Sequence, residues 1–353
     1  MSLHIKDISL KLEKASLDGF LLSSPPNISY LTEFSSRDAY LLISKKENFY
    51  LTDSRYTEEA KKNLSKAFTI KKINGSVFKS IADLCRSLRL SRVAFEERHL
   101  PYAEYAKIKE NLGKAIDFIP THGLVEELRQ IKQPEELQKI RKATQITLAA
   151  LKFIENLLVP GKKEIEIAAE LECFIRYNHA RSSAFDIIVA SGPNSSFPHH
   201  ITGQRKIKNN EPVLIDLGVD YLGYKSDLTR VFFLGKITST FRRTYDIVAR
   251  AKDLAIRKIK PAVSIKAVDI AARQYITQKG YGRFFGHNLG HGLGLEVHEE
   301  PHISGSENSR LKPGMVFTVE PAIYLTGQFG IRIEDMVLVT KKGVQVLSGA
   351  FYK

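Results

Sequence analysis

The stretch VLIDLGVDYLGYKSDLTRVFF, residues 213–233, decides how the rest of the chain is read. Two runs rich in β-branched and aromatic residues flank a short segment near Tyr221 and Gly223, the pattern of an antiparallel hairpin. Asp216 and Asp227 are equidistant from a turn centred between Tyr221 and Leu222, so simple register sets them opposite each other on one face. Opposed carboxylates on a half-buried sheet repel, and a shared proton or a bound cation makes such a pair tolerable. On this stretch alone, a solvated polar face is the plain alternative.

The end of the chain repeats the pattern. MVFTVEPAIYL (315–325) and GIRIEDMVLV (330–339) read as a second hairpin, and Glu320 and Glu334 each lie seven residues from Gly327. A turn centred there again opposes two acids. Four carboxylates from two facing hairpins call for about two divalent cations, because close acid pairs otherwise protonate. His291 lies in GHGLG (290–294), whose glycines are expected to let the backbone approach an ion. One imidazole with four carboxylates is a hard, oxygen-rich set that suits Mn²⁺, with Co²⁺ or Zn²⁺ as alternatives, and is poor for a structural zinc site. Helical periodicity at 135–158 and 163–178 precedes the first hairpin, and at 240–260 and 266–279 the second. A helix–helix–hairpin repeat implies two halves related by a pseudo-two-fold axis, with a site between them.

Upstream, apolar runs at 19–22, 39–43, 49–52, 68–70, 92–95 and 116–119 alternate with amphipathic stretches, so this half is an α/β unit. Residues 23–27, SSPPN, read as a turn. The polar segment 124–134 carries the boundary, which gives domains 1–123 and 124–353. Of the 353 residues 43% are hydrophobic and 26% charged, a globular balance, with no apolar run near the ~20 residues that span a bilayer. No membrane partner and a cytoplasmic location are expected. The net charge of +14 is spread along the chain, without a dense basic block, so nucleic acid is not an expected partner. Cys85 and Cys173 are expected to be reduced and buried in helices.

At DLG and SDLTR (Asp216, Asp227), GHGLG (His291), TVEP (Glu320) and RIED (Glu334), the C-terminal half resembles the superfamily of methionine aminopeptidase, prolidase, Xaa-Pro aminopeptidase and creatinase, with the pita-bread fold. The α/β half, with SSPPNISYLTEFSS, resembles a creatinase-type N-terminal domain and points to the prolidase and Xaa-Pro aminopeptidase branch. The resemblance implies a peptidase with two divalent metal ions that hydrolyses the bond before proline in Xaa-Pro dipeptides or peptides, working as a homodimer. It implies that Asp216 holds one ion, that Asp227 and Glu334 bridge, and that His291 and Glu320 complete the second. It also implies catalytic roles for His199, His298 and Glu320, and substrate-binding roles for His287 and Arg332. A catalytically idle binding module for nucleic acid or acidic partners is the alternative from another class.

The remaining polar residues are expected to be plainer. His179, His200 and His302 read as surface or loop histidines, and Asp220, Glu296, Glu299, Glu300 and Asp335 as turn or surface acids. Tyr324 reads as lining the site or as core. Asn209 and Asn210 stand where the family often has Gly with an acid, which affects loop shape rather than metal binding. The loop at 34–40, FSSRDAY, is expected to gate the substrate amine.

Overall fold

The structure, a computed structural model, describes residues 3–35 and 37–349. Two compact units follow one another, Met1–Arg129 and Gln130–Lys353. Every apolar run of the first half is a strand: β1 (Gly19–Leu22), β2 (Ala39–Ser44), β3 (Asn48–Thr52), β4 (Thr69–Lys72), β5 (Arg92–Glu96) and β6 (Asp117–Thr121). They form one sheet in the order β4-β3-β2-β1-β5-β6, antiparallel between β1 and β2 and between β2 and β3, and parallel elsewhere. Residue 36, in the expected gating loop, lies outside the described residues.

The SSPPN turn is instead a helix start, Pro25–Thr32. Prolines suit the first helical turn because its N–H groups lack intrahelical acceptors. The donors just ahead of it are taken by Glu96, whose Oε2 accepts from Ser23 N at 2.6 Å and Ser24 N at 2.8 Å. Residues 124–129, expected in the second domain, belong to the first unit. Arg129 Nη1 donates to Asn27 Oδ1 at 2.7 Å, and Lys11 Nζ donates to Leu124 O at 3.1 Å. Cys85 is buried, but Cys173 is exposed: helix Glu164–Tyr177 turns Ile167, Leu171 and Ile175 inward and places residue 173 away from them.

The second unit repeats itself down to its hydrogen bonds. Ahead of helix Glu164–Tyr177, Gly161 N donates to Ile207 O, Ile207 N to Lys162 O, and Glu164 N to Arg205 O. Ahead of helix Ile265–Gln278, Ala262 N donates to Leu311 O, Leu311 N to Val263 O, and Ile265 N to Ser309 O. Each half then supplies a sheet to the centre. In the first, strand Glu211–Leu217 runs between Ile188–Ser191 and Leu228–Leu234. In the second, Val316–Val319 runs between Gly290–Gly292 and Asp335–Val339.

Register decides where the acids fall. In the first hairpin Leu217 pairs with Leu228, Asp216 with Thr229 and Tyr221 with Tyr224, so the turn is centred one residue later than expected, between Leu222 and Gly223. Asp216 therefore faces Thr229, and Asp227 lies diagonally from it rather than opposite. The cause is turn chemistry: a two-residue turn with positive φ at both positions, 51° at Leu222 and 88° at Gly223, puts the glycine second. In the second hairpin Ala322 pairs with Arg332 and Val319 with Asp335, about Gly327 at φ 73°, as expected. Asn210 takes the left-handed conformation that its glycine counterpart would, at φ 60°.

Leucine is a poor residue for that left-handed position, and Leu222 is exposed there. Leu222→Asn is expected to raise stability by about 1 kcal/mol, seen as a Tm increase of roughly 2–4 °C. An unchanged or lower Tm would show that Leu222 is held by contacts rather than strained.

Candidate metal centre

Asp227, His291 and Glu334 each bring a ligand atom to within 4.8 Å of the others. Asp227 stands just before strand Leu228–Leu234, and Glu334 between strands Phe329–Arg332 and Asp335–Val339, so both leave the ladder where the two hairpins converge. His291 is central in strand Gly290–Gly292. Its flanking glycines are required by packing: a Cβ at Gly290 would meet Thr318 O at 1.9 Å, and one at Gly292 would meet Glu300 O at 2.2 Å. Glu320 joins the group, with Oε1 3.3 Å from His291 Nε2 and accepting from Thr318 Oγ1 at 3.1 Å. His291 Nε2 is also 3.6 Å from Asp227 Oδ2, while its Nδ1 donates to Gly292 O at 3.2 Å. That second bond turns Nε2 toward the acids.

Asp216 is held from behind by Arg332, whose Nη2 donates to Asp216 Oδ2 at 2.5 Å. The other donors of Arg332 go to Thr229 Oγ1 at 3.0 Å, Tyr324 Oη at 2.5 Å and Pro198 O at 3.3 Å. Arg332 thus braces one side of the centre. Glu334 is braced similarly: its Oε2 accepts from Thr229 Oγ1 at 2.8 Å, and its backbone carbonyl accepts from Arg230.

The electrostatics fit a cation. Burial and the charges of Glu334, Asp216 and Glu320 push the Asp227 carboxyl well above its usual range. Burial, Glu320 and Asp216 do the same to Glu334, although Arg332 opposes them. Glu320 behaves differently: burial would raise it, but the hydrogen bond and charge of His291 outweigh that and lower it. Burial pulls His291 down, and Glu320 more than restores it, so its pKa is raised. Asp216 Oδ1 and Glu334 Oε1 are buried and have no hydrogen-bond partner among the described residues. Orphaned carboxylate oxygens in a cluster of mutually repelling acids are the donor set a hard divalent ion satisfies.

The histidines expected around the centre separate into kinds. His298 is exposed, with its ring centroid 4.1 Å from that of His291, and burial together with His291 lowers its pKa. His199 is exposed and close enough for its charge to act on His298. His287 is half-buried, its pKa lowered chiefly by burial. Its Nδ1 donates to Asn288 O at 2.7 Å, which leaves Nε2 as the acceptor 3.5 Å from Tyr324 Oη. His179 and His302 are exposed, as expected.

His200, expected at the surface, is half-buried and hydrogen-bonded to Glu164 at 2.9 Å. Asp220 serves the turn as expected, accepting from Gly223 N at 2.9 Å, though it is buried and paired with Lys225 at 2.5 Å. Two further acids expected at turns or the surface are buried and paired, Glu299 with Lys132 at 2.6 Å and Asp335 with Arg230 at 2.8 Å and with Lys252. Arg273 also escaped the sequence reading. It forks onto Asp269, and its Nη1 and Nη2 donate to Phe285 O at 3.1 Å and His287 O at 2.8 Å, which fixes the loop carrying His287. An acid four residues before an arginine on one helix was the readable signal.

A duplicated helix–helix–hairpin unit that gathers four acids and a histidine where its hairpins converge defines a pita-bread metallohydrolase. The chain belongs to metallopeptidase family M24, whose model matches residues 138–341, and the creatinase/prolidase N-terminal domain matches residues 5–131. It is 34% identical to a protein named Xaa-Pro dipeptidase from Pyrococcus horikoshii, over 99% of this chain and 97% of that protein. The structure of a Xaa-Pro dipeptidase from Bacillus anthracis is similar with a TM-score of 0.95 and 38% identity, covering 98% of this chain and 97% of that one. An X-Pro aminopeptidase from Thermotoga maritima is similar with a TM-score of 0.88 and 35% identity, covering 96% and 97%. Among the described residues no helix is long and apolar enough to cross a membrane.

Proposed function

We propose that this metallopeptidase hydrolyses the bond before proline, with Xaa-Pro dipeptides as preferred substrates, and that two Mn²⁺ ions are held by Asp216, Asp227, His291, Glu320 and Glu334. The observation that carries the reading is the intact centre itself, with Asp216 Oδ1 and Glu334 Oε1 buried and without hydrogen-bond partners among the described residues. The proline preference is supported by relatives named for it that match nearly the whole chain. An idle binding module finds no support, because such a module gains nothing from burying mutually repelling acids.

The ions, when bound, acidify a water and polarise the scissile carbonyl. The chain supplies the rest. Glu320, kept ionised by His291, takes the proton of the attacking water. His298, its pKa lowered by partial desolvation of the ring and by the neighbouring His291, donates its N–H to the oxygen on which negative charge develops. His199 assists at the departing proline nitrogen, and His287, with its acceptor Nε2 fixed, binds the substrate beside Tyr324. Arg332 keeps Asp216 aligned through the hydrogen bond to its Oδ2.

A proline nitrogen carries no hydrogen in the scissile bond, so selection rests on ring shape rather than on a donor. After chelation and Mn²⁺ readdition, kcat/KM is expected to be highest for Ala-Pro, lower but measurable for Ala-Pro-Ala, and at least about 100-fold lower for Ala-Ala. Comparable rates on Ala-Ala would overturn proline selectivity, and a preference for Ala-Pro-Ala would make the enzyme an aminopeptidase. The homodimer rests on the family resemblance, and the cytoplasmic location on the sequence. A mass measurement in solution checks the dimer.

A further inference from the structure

The loop that carries His199 is a tight turn, with His200 N donating to Phe197 O at 3.2 Å. From residue 197 to 202 the side chains divide between exposed (Phe197, His199, Ile201) and half-buried (Pro198, His200, Thr202). Thr202 and His200 are pinned. Thr202 Oγ1 donates to Ile187 O at 2.8 Å and accepts from Val189 N at 2.8 Å. His200 Nε2 is 2.9 Å from Oε2 of Glu164, the first residue of helix Glu164–Tyr177.

Glu164 is fully buried, and the loop fills its acceptor sites. Its Oε1 accepts from Ser191 N at 2.7 Å, Ser191 Oγ at 2.7 Å and Asn194 Nδ2 at 3.0 Å, so one carboxylate ties both ends of the segment 191–200. Burial alone would raise the Glu164 pKa, yet these hydrogen bonds lower it, which keeps the carboxylate ionised and its hold strong.

We propose that Glu164 and His200 are positioning residues whose hydrogen bond sets the direction of His199 toward the substrate. His199 is the third residue of the turn that His200 closes on Phe197, so anchoring the His200 side chain fixes the turn that presents His199, and a displacement of about 1 Å at a substrate-binding group can cost about 100-fold in rate. This rests on the peptidase reading for the role of His199, although the geometry stands without it. The second half of the fold uses a different device for the same task, Arg273 on the carbonyl of His287.

The test is a double-mutant cycle on the full chain. His200→Ala is expected to lower kcat/KM on Ala-Pro by about 10–100-fold with Mn²⁺ affinity unchanged within about twofold. His200→Gln, whose amide can still donate to Glu164, should recover most of the loss. In a His199→Ala background, His200→Ala should add less than about twofold, because its effect passes through His199. An equal loss in both backgrounds, or weakened Mn²⁺ binding, would overturn the proposal. If His200→Ala fails to fold, Glu164→Gln enters the same cycle. Labelled-histidine NMR of the metal-free chain gives a second readout: the His199 imidazole resonance should shift or broaden in His200→Ala while that of His298 stays. If the wild type turns over no Xaa-Pro substrate with any divalent ion, the peptidase reading fails, and this spectrum alone decides the positioning role.

Discussion

Asp227→Asn is expected to lower kcat/KM on Ala-Pro by at least about 1,000-fold and to remove most of the Tm gain that Mn²⁺ gives the wild type. The same change should stabilise the metal-free protein. Asp227 is buried among Glu334, Asp216 and Glu320, and each of them disfavours its ionised form. An amide of the same shape keeps the packing and ends the repulsion, for a gain on the order of 2 kcal/mol near neutral pH. Around it, Leu217, Leu228 and Met336 are buried apolar residues that hold the strands without help from the acid. Thermal melts with and without Mn²⁺ separate the two effects. A metal-free variant less stable than wild type would show that Asp227 is structural, and an undiminished Mn²⁺ effect would show that it is no ligand.

That an acid can be worth removing from the metal-free chain was partly legible in the sequence, because repulsion between carboxylates depends on spacing and spacing follows from the turn. Gly327 sits at the centre of its hairpin, and the register about it came out as read. At the first hairpin the turn lies one residue later than simple register places it, since Gly223 takes the second position of a turn whose first is a leucine, a residue rarely found at positive φ. Legibility ended where the partner was far along the chain. Glu299 reads as a surface acid until Lys132, 167 positions away, is folded against it, and Asp335 until Lys252 is, 83 positions away. Glu164 is subtler still: an acid in a first helical turn is ordinarily explained by the helix dipole, and only the folded loop shows that its donors come from Ser191, Asn194 and His200. Local rules found the helices, strands and hairpins. Burial of charge is settled by tertiary pairing, which no local pattern carries.

The metal-free protein is expected to lose stability as pH rises from about 5 to 8, and the metal-loaded protein is not. The folded-state carboxyls of Asp227 and Glu334 are raised, so the folded chain binds more protons than the unfolded one once pH passes the ordinary carboxyl values near 4. Stability from each is fully present below that value and lost as pH climbs through the raised folded value, by at most about 1.4 kcal/mol per pH unit for each group. His291 acts in the same direction, since a raised imidazole contributes below its unfolded value near 6.5 and loses that contribution above the folded one, whereas His287 and His298, with lowered pKa values, gain stability as pH rises through that region and offset part of the loss. Glu320, with its pKa lowered, contributes stability present above its unfolded value and lost only as pH falls below it, outside this window. Bound Mn²⁺ reverses the trend, because ions compete with protons for the same oxygens and bind better as pH rises. The difference in Tm between Mn²⁺-loaded and chelated protein should therefore widen steadily from pH 5 to 8. In an Asp227→Asn, Glu334→Gln double variant most of the slope should vanish. A chelated wild type whose Tm falls no more over this range than that of the double variant would mean that the acids of the centre are not the mutually strained cluster the geometry describes.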